Sequence, residues 1–356
     1  MIDELIRDIG LADREAMKRA KAHWDNRTHP TGSLGDLEAM TIRLAGIQGR
    51  AIPDIDQKAV IVFCADNGVV AEDVSSSPQV FTQMLANAMA RGETGVAALS
   101  AWAGAELVVV DIGMKEAMER EPNILKASLR PGTGNIAAEP AMTWEEALRA
   151  MERGAKVARE VIAKGARMIG TGELGIGNTT TAAALLCALT GESAEACAGY
   201  GAGITEDQLA KKVAVIKKAV ARCGDGDVIQ KIAQVGGLDL AGLVGAFLAC
   251  AEARVAAVVD GFVTGVAALA AIELAPDLKD YVFLSHKSAE RASALLNRHL
   301  GLAPPMDLAM RLGEGSGCPL FFQLMDGAIY AMKNMGSMED NAIDPGLLVN
   351  IEKESL

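Results

Sequence analysis

The sequence predicts an α/β protein with a doubly wound, mainly parallel sheet. Short runs rich in valine and isoleucine recur through the middle of the chain, and helical patterns separate them. The runs are continuously apolar, which indicates strands that are covered on both faces. Strands that alternate with helices are typical of a sheet with helices on both sides, in which ligands bind at the carboxyl ends of the strands.

Five segments are predicted as strands. They read AVIVFCAD, LVVVDIG, ARMIG, VAAVVDG and YVFLS, and they end at Asp66, Gly113, Gly170, Gly261 and Ser285. Each run is long enough for a strand and is followed by a polar or glycine residue that ends it. The sequence therefore predicts at least five strands in one sheet.

Two capping boxes mark the beginnings of long helices between these strands. Thr143 with Glu146 opens one helix, whose apolar stripe ends before Gly165, and Thr205 with Gln208 opens another. In a capping box the side chain of the first residue accepts a hydrogen bond from the backbone N–H of the fourth residue. The side chain of the fourth residue accepts one from the backbone N–H of the first. The pattern thus predicts where both helices begin.

Both chain ends lack a strong strand pattern. Residues 1–50 and 300–356 read as helix and loop, so we expect them to join in a small helical subdomain beside a large α/β domain over residues 51–299. The longest apolar stretch, residues 240–259, is interrupted by Glu252 and Arg254. It is too short for a membrane span and predicts a buried helix followed by a strand.

The composition limits the classes of function. The formal net charge of −12 repels nucleic-acid backbones, and no dense basic cluster is interleaved with aromatic residues, so we expect no nucleic-acid binding. A phosphate would have to be bound locally, by backbone N–H groups and a few cations. The six cysteines are scattered without a C-x-x-C pair, and the first residues lack the apolar core of a signal peptide. These features predict reduced thiols in a cytoplasmic protein.

The segment richest in candidate chemistry is GTGELGIGNTTT, residues 170–181, which follows a predicted strand and opens a helix that ends near Gly191. Glycines let a chain turn sharply and approach an anion, and the beginning of a helix offers free N–H donors and a favourable dipole. A phosphate site is one interpretation. A tight turn with a threonine-rich cap is the other.

Two nucleotide-binding motifs nearly match this segment. Gly170, Gly172 and Gly175 spell G-x-G-x-x-G, and Glu192 lies near the place of a ribose-binding acid, so a nicotinamide-dependent dehydrogenase is an alternative. The same segment has the spacing of a P-loop. Asn178 stands there in place of the lysine that reaches the β- and γ-phosphates, which argues against an NTPase.

A second glycine turn, GYGAG over residues 199–203, precedes the helix capped by Thr205. Lys212 lies at the border of the apolar stripe of that helix, where it could neutralise a phosphate held by the glycines. Lysines at such positions more often lie on the surface with the stem over apolar residues. The residues alone favour this second interpretation.

Near the carboxyl terminus, RLGEGSGCP over residues 311–319 places Glu314 between glycines and apolar residues. Desolvation there would raise its pKa toward neutrality and make it a competent general base, whereas the alternative is a polar residue in a turn. The four histidines lack metal-binding spacing, and Glu314 occupies the place of the first glycine of a nucleophile elbow. We therefore expect no metal and no acyl-enzyme.

Six segments along nearly the whole chain share one resemblance. They are PTGSLGDLE at 30–38, ADNGVVAE at 65–72, GTGELGIGNTT at 170–180, GGLDLAG at 236–242, LSHKSAE at 284–290 and GEGSG at 313–317. Together they resemble the nicotinate-nucleotide:dimethylbenzimidazole phosphoribosyltransferases of cobamide synthesis. Six matches in order are far more specific than any single glycine loop.

This resemblance implies a large Rossmann-like α/β domain, a small helical domain from both chain ends, and a homodimer. It implies that Glu314 is the general base and that Glu173 is a second acid of the site. It also implies phosphate and nucleotide contacts from the two glycine turns and one lysine, namely Gly175, Ile176, Gly177, Asn178, Thr179, Thr180, Gly201, Gly203 and Lys212.

For the aromatic base, the resemblance implies contacts from Ser75, Gln83 and Leu312. The family commonly has an aromatic residue in a segment like S-A-Y-P, whereas this chain reads SSSP over residues 75–78, and Asn67 stands where the family often has histidine. These departures leave the base open. It is 5,6-dimethylbenzimidazole, a related base, or a phenolic base of the kind that some paralogous subunits activate as heterodimers.

The implied reaction moves the ribose phosphate of nicotinate mononucleotide onto the base with inversion at C1. It needs no metal and no cofactor, because the pyridinium nitrogen departs as a neutral ring nitrogen. A phosphoribosyltransferase accounts for the glycine loop, Lys212 and Glu314 together. A dehydrogenase accounts only for the glycines of residues 170–175, and a non-catalytic partner subunit or nucleotide-binding module makes no use of Glu314.

Overall fold

The centre of the molecule is a six-stranded sheet. The computed structural model describes residues 1–115, 118–347 and 350. The strands are β1 (Lys58–Ala65), β2 (Ala105–Gly113), β3 (Leu125–Lys126), β4 (Met168–Leu174), β5 (Ala256–Val259) and β6 (Val282–Leu284). Their spatial order is β3-β2-β1-β4-β5-β6, and every neighbouring pair is parallel. This order is that of the doubly wound dinucleotide-binding folds, so the predicted fold class is confirmed.

Helices cover both faces of the sheet. They are α1 (Ile2–Asp8), α2 (Arg14–Asp25), α3 (Asp36–Gln48), α4 (Phe81–Ala90), α5 (Gly95–Trp102), α6 (Trp144–Ala163), α7 (Asn178–Thr190), α8 (Ala194–Cys197), α9 (Glu206–Cys223), α10 (Val228–Val235), α11 (Leu238–Glu252), α12 (Phe262–Leu274), α13 (Ser293–Leu300) and α14 (Gly317–Asn334). Short 3₁₀ turns span Gly68–Glu72, Pro276–Tyr281 and Pro345–Leu347. Helix α11 packs against both α6 and α12 and against the sheet, which explains why it is apolar on every face.

The predicted local structure is largely confirmed. All five predicted strands are present, and residues 240–259 contain most of α11 followed by β5. Both capping boxes form. The Glu146 N–H donates to Thr143 Oγ1 at 3.1 Å, and the Gln208 N–H donates to Thr205 Oγ1 at 3.2 Å. Strand β3 pairs only two residues with β2 and was not predicted. In the described part of the chain, no helix is long and apolar enough to cross a membrane.

The third predicted strand, ARMIG, is expected to end at Gly170, which is wrong because the corresponding strand β4 continues to Leu174. Gly170 and Gly172 of β4 are positions of close packing. A Cβ on Gly170 would lie 2.5 Å from Cys318 Cβ, and a Cβ on Gly172 would lie 2.4 Å from the carbonyl oxygen of Glu314. The glycines thus let α14 and the turn before it pack directly on the strand. They do not form the strand-to-helix turn that a dinucleotide motif requires.

Helices from both chain ends meet one another and the sheet. Trp24 of α2, Ala45 of α3 and Met332 of α14 form a small buried cluster, and Trp24 Nε1 donates to Thr41 Oγ1 at 2.7 Å. Helix α14 also packs against β1, β4 and β5, and Phe322 belongs to the main core. Helix α1 packs on α11. These contacts place α14, with the glycine turn before it, directly against the sheet.

Candidate active site

A cavity of about 240 Å³ opens at the carboxyl ends of β4, β5 and β6. Its lining comes from residues 173–176, 178–179, 201–202, 260–263 and 311–314, from His286, Ser288 and Glu290, and from Ser77 before α4 and Phe81 and Leu85 of α4. The chain order reverses between β1 and β4, and ligands of doubly wound sheets bind beside such a switch point. The cavity therefore lies where this topology is expected to place a ligand.

Glu314 lies on the cavity wall in a left-handed turn. The φ angles of Gly313, Glu314 and Gly315 are 81°, 63° and 91°, a region that non-glycine residues seldom adopt. The Glu314 residue is only 8% exposed, and Oε2 has no hydrogen-bond partner among the described residues. Burial raises the pKa of this carboxyl above its ordinary value. The arrangement provides a desolvated acceptor that can take a proton from a ligand in the cavity.

Glu173, the second predicted acid, lies next to this turn. It is 8% exposed near the end of β4 and accepts a hydrogen bond from Nδ2 of Asn178. A Cβ on Gly313 would lie 3.0 Å from Glu173 Oε1, so the carboxylate contacts the turn that carries Glu314. Burial first, and neighbouring carboxylates second, raise the pKa of Glu173 well above its usual range. Both acids therefore line one cavity in a strongly desolvated setting.

The two glycine turns meet at the beginning of α7. Gly177 has a φ of 92° and immediately precedes the helix. Thr179, in the first turn of the helix, accepts a hydrogen bond at Oγ1 from Lys212 Nζ at 2.9 Å. The same Nζ donates to the carbonyl oxygen of Gly199 at 3.0 Å. A Cβ on Gly201 would lie 3.0 Å from Thr179 Oγ1, so this turn packs directly on the helix start.

Lys212 is 1% exposed, and its interpretation as a surface lysine is wrong. The reason is that the turn over residues 199–203 covers the side chain, which helical periodicity does not reveal. Burial lowers the pKa of Lys212 to about 8, although the charge of Glu290 opposes this shift. Two of the three ammonium donors bind Thr179 and Gly199, and no third partner lies among the described residues. The ammonium and the dipole of α7 together favour an anion here.

The predicted nucleotide residues divide into two groups. Those that line the cavity are Gly175, Ile176, Asn178, Thr179 and Gly201. The others lie outside that lining and are Gly177, Thr180, Gly203 and Lys212. Gly203 lines an adjoining cavity of about 800 Å³, which shares Gly201 and Leu312 with the first. Thr180 is fully buried in α7.

The three predicted base-binding residues are not all in one place. Leu312 lines the cavity and is 58% exposed, whereas Ser75 and Gln83 lie outside the lining. Gln83 Nε2 donates to the carbonyl oxygen of Met118 at 2.6 Å, and Gln83 Oε1 accepts from the Met118 N–H at 3.0 Å. Ser75 Oγ lies 3.4 Å from the carbonyl oxygen of Ser77. The partner of Gln83, Met118, lies outside the cavity lining, whereas the partner of Ser75, Ser77, belongs to it.

The lining residues that the sequence analysis missed include Phe81, Leu85 and Asp260. Phe81 and Leu85 lie one turn apart on α4 and give the cavity an apolar wall. Their helical spacing after the SSSP segment is the signal that could have identified them. Asp260 follows β5 directly, and a polar residue at the carboxyl end of a buried strand is itself a signal of a ligand site.

Comparison with known proteins decides the family. A family model described as phosphoribosyltransferase matches residues 9–343. A nicotinate-nucleotide–dimethylbenzimidazole phosphoribosyltransferase of Acetivibrio thermocellus is 42% identical over 346 residues, which cover 97% of this chain and 98% of that protein. The chain belongs to this phosphoribosyltransferase family. A family member of the same name from Escherichia coli strain SE11 is 40% identical and covers 96% of both chains.

Solved structures of the family agree with the fold. The crystal structure of CobT from Thermus thermophilus superposes with a TM-score of 0.89 at 38% identity, over 93% of this chain and 99% of that one. The predicted family, the α/β fold and the enzyme class, a phosphoribosyltransferase, are therefore confirmed. The dehydrogenase alternative is wrong, and so is that of a non-catalytic subunit or binding module.

Proposed function

We propose that this enzyme transfers the ribose 5-phosphate of nicotinate mononucleotide to 5,6-dimethylbenzimidazole or a related aromatic base. The products are nicotinate and an α-riboside phosphate for assembly of the cobamide nucleotide loop. One observation carries the proposal. A buried carboxylate without a partner at Oε2, Glu314, lines the same cavity as the helix start that Lys212 supports.

The 5′-phosphate would bind at the beginning of α7. Backbone N–H groups at a helix start and a desolvated ammonium form a local positive site in a protein whose formal charge is −12. We assign to this site all the nucleotide residues that the resemblance implies, namely Gly175, Ile176, Gly177, Asn178, Thr179, Thr180, Gly201, Gly203 and Lys212. The residues outside the lining would act by shaping the turns and by holding Thr179.

The aromatic base would lie against the apolar wall formed by Phe81, Leu85 and Leu312. Such a wall favours a flat, largely apolar ring, and it leaves Glu314 as the group that meets the ring N–H. Contacts from Ser75 and Gln83 stay predictions. Gln83 would first have to release its two hydrogen bonds to Met118.

In the proposed reaction the base attacks C1 of the ribose from the face opposite nicotinate. As the new C–N bond forms, the bond to the pyridinium nitrogen breaks and its electron pair stays on nicotinate. Glu314 takes the proton that the base loses, a contribution of about 10²–10⁴-fold in rate. Glu173, when ionised, would stabilise the positive charge that develops at the ribose. Positioning of both substrates supplies much of the remaining acceleration.

The direct test is to mix the enzyme with nicotinate mononucleotide and 5,6-dimethylbenzimidazole and to follow free nicotinate by chromatography. We expect nicotinate and the α-riboside phosphate in a one-to-one ratio, with the configuration at C1 established by NMR. A reaction without base controls for hydrolysis. Absence of nicotinate release with this base and with every related base tested would contradict the proposal.

A phenolic base is a second candidate, because the SSSP segment of residues 75–78 lacks the aromatic residue common in the family. A competition assay with equimolar 5,6-dimethylbenzimidazole and p-cresol distinguishes the two. We expect the benzimidazole product to predominate, because a neutral ring nitrogen attacks C1 more readily than the oxygen of a protonated phenol, while Glu314 can accept a proton from either base. Predominance of the phenolic riboside would assign the enzyme to the phenolic class.

We also infer a cytoplasmic homodimer. All six cysteines are buried free thiols, as suits a reducing compartment. We infer the homodimer from the family resemblance, which extends over nearly the full length of the chain. Light scattering on the purified protein should give twice the chain mass of 37.1 kDa. The mass of a single chain would contradict the dimer.

A further inference from the structure

The turn that carries Glu314 is bound to the end of β5 through Asp260. This aspartate directly follows the strand and is 2% exposed. Its Oδ2 accepts a hydrogen bond from the Gly315 N–H at 3.1 Å, and its Oδ1 accepts one from the Gly317 N–H at 2.7 Å. Both oxygens of one carboxylate therefore hold the backbone immediately after Glu314, where the turn becomes α14.

Glu314 needs this restraint because of its backbone. A glutamate at a φ of 63° persists only where the surrounding structure holds it. On the opposite side, the Gly172 Cα lies so close that a Cβ there would be 2.4 Å from the Glu314 carbonyl oxygen. The turn is thus confined between β4 and the Asp260 carboxylate, which fixes the direction of the Glu314 side chain.

Placing a carboxylate at this position is unfavourable in itself. Burial raises the pKa of Asp260 to about 7, and two backbone N–H groups only partly offset that effect. The groups that face it are Glu314, Glu173 on β4, Cys318 on α14 and His286 after β6. The His286 Nδ1 is 4.0 Å away and is hydrogen-bonded to Ser285 Oγ. The unfavourable burial of the Asp260 carboxylate indicates a role that a neutral side chain would not fill.

We propose that Asp260 is a positioning residue of the transfer reaction, which holds the Glu314 turn so that the Glu314 carboxylate meets the proton of the incoming base. The inference rests on the proposed function of Glu314. It depends on both oxygens being acceptors, which an aspartate provides and an asparagine does not, because one side of the amide is a donor. An amide NH₂ would confront one of the two glycine N–H groups.

The test is a double-mutant cycle of Asp260→Asn and Glu314→Gln, with kcat, KM and ligand affinity measured for all four proteins. In the wild-type background, Asp260→Asn should lower kcat by about 10- to 100-fold, because a displaced catalytic group loses about that much. The affinity for nicotinate mononucleotide should stay within about threefold. In the Glu314→Gln background the same change should cost less than about threefold, since residues that act as a unit are not additive.

Asp280→Asn is the matched control. Asp280 also joins distant segments, since Oδ2 accepts from the Ala12 N–H at 3.1 Å and from Arg14 at 2.9 Å, and it lies outside the cavity. Its kcat should stay within about twofold of wild type. If Asp260→Asn does not unfold cooperatively on heating, Asp260→Ser takes its place in both backgrounds, with the same expectations.

The outcomes separate this inference from the proposed function. Equal losses of kcat from the Asp260 change in the two backgrounds, or no loss in the wild-type background, overturn the role of Asp260 alone. Wild-type turnover of Glu314→Gln overturns the general base of the proposed function and this inference with it. A loss confined to the background that retains Glu314 supports the positioning role.

Discussion

Each end of the cavity has a glycine turn that leads into a helix, but the buried side chains beside the two turns have opposite charge. At one end, the glycines of residues 175–177 connect β4 to α7, and Lys212 lies at the helix start. At the other end, the glycines of residues 313–315 lead into α14, and the buried acids beside them, Glu314 and Glu173, are carboxylates. The first end is suited to bind an anion, and the second to receive a proton.

The difference shows that glycine turns provide access but not chemistry. In both turns a left-handed backbone brings main-chain atoms close to the ligand space. What each end does depends on side chains from elsewhere in the chain, Lys212 from α9 and Asp260 from the end of β5. Predictions that alter one end and spare the other test this division directly.

The largest effect is expected at the carboxylate end. Glu314→Gln should lower kcat by about 10²-fold or more with little change in KM, because the amide fills the same space but cannot accept the proton. Initial rates of nicotinate release, with calorimetric titration of both substrates, measure the two quantities. Near-wild-type turnover of the variant would remove Glu314 from the mechanism.

The next effect is expected at the phosphate end. Lys212→Ala should weaken nicotinate mononucleotide by about 1.5–3 kcal/mol, roughly 10- to 150-fold, and leave the aromatic base unaffected. Lys211→Ala is the matched control, since Lys211 is exposed and pairs with Asp73 at 2.6 Å. Calorimetry should show a change for the first variant only. Equal weakening of both ligands in Lys212→Ala would indicate a damaged cavity and contradict the division.

The pH profile should separate the two ends. The raised pKa of Glu314 means that this base is protonated, and inactive, to a higher pH than an ordinary carboxyl, so kcat should rise with pH along a displaced acidic limb. The pKa of Lys212 is lowered to about 8, so its charge is present below that pH and is lost above it. The kcat/KM for nicotinate mononucleotide should therefore fall as pH rises through about 8.

Variants identify each limb. Lys212→Arg should abolish the basic limb, because arginine keeps its charge throughout this range. Glu314→Gln should remove the contribution of Glu314 to the acidic limb of kcat and leave that of Glu173, whose pKa is also raised. Rates at constant ionic strength between pH 5 and 9 provide the measurement. A basic limb that persists unchanged in Lys212→Arg would assign that ionisation to another group.

The smallest effect, none, is expected from metal removal. Nicotinate leaves as a neutral ring nitrogen, so the reaction requires no Lewis acid, and turnover should be unchanged in excess EDTA. Assays of enzyme dialysed against chelator, with and without added Mg²⁺ or Zn²⁺, test this expectation. Loss of activity that one ion restores would show that a metal serves one end of the cavity.

Much of the fold could be predicted because local patterns determine it. The strands are continuously apolar, and the capping boxes of Thr143 and Thr205 fix the beginnings of α6 and α9. The end of β4 could not be predicted from local sequence. Gly172 lies within the strand because the backbone of Glu314, 142 residues later in the chain, packs closely against it. Two-residue pairing such as β3 leaves no periodic signal at all.

The site was predicted less completely, for a related reason. Glu314 and the glycine turns are recognisable by their local sequence, whereas the burial of Lys212 depends on a turn that folds over it from residues 199–203. Asp260 was passed over because its partners, the N–H groups of Gly315 and Gly317, are more than fifty residues away. Contacts between distant segments determine these roles, and a single sequence does not state them.

The left-handed backbone at Glu314 has a consequence for attempts to engineer the enzyme. Glycine at position 314 would relieve the unfavourable φ of 63° and remove a buried carboxylate, so it should stabilise the native state. A mutant library selected only for resistance to heat would therefore enrich Glu314→Gly, and the selected variants would lose catalytic activity. Any such selection on this enzyme must reward product formation at the same time.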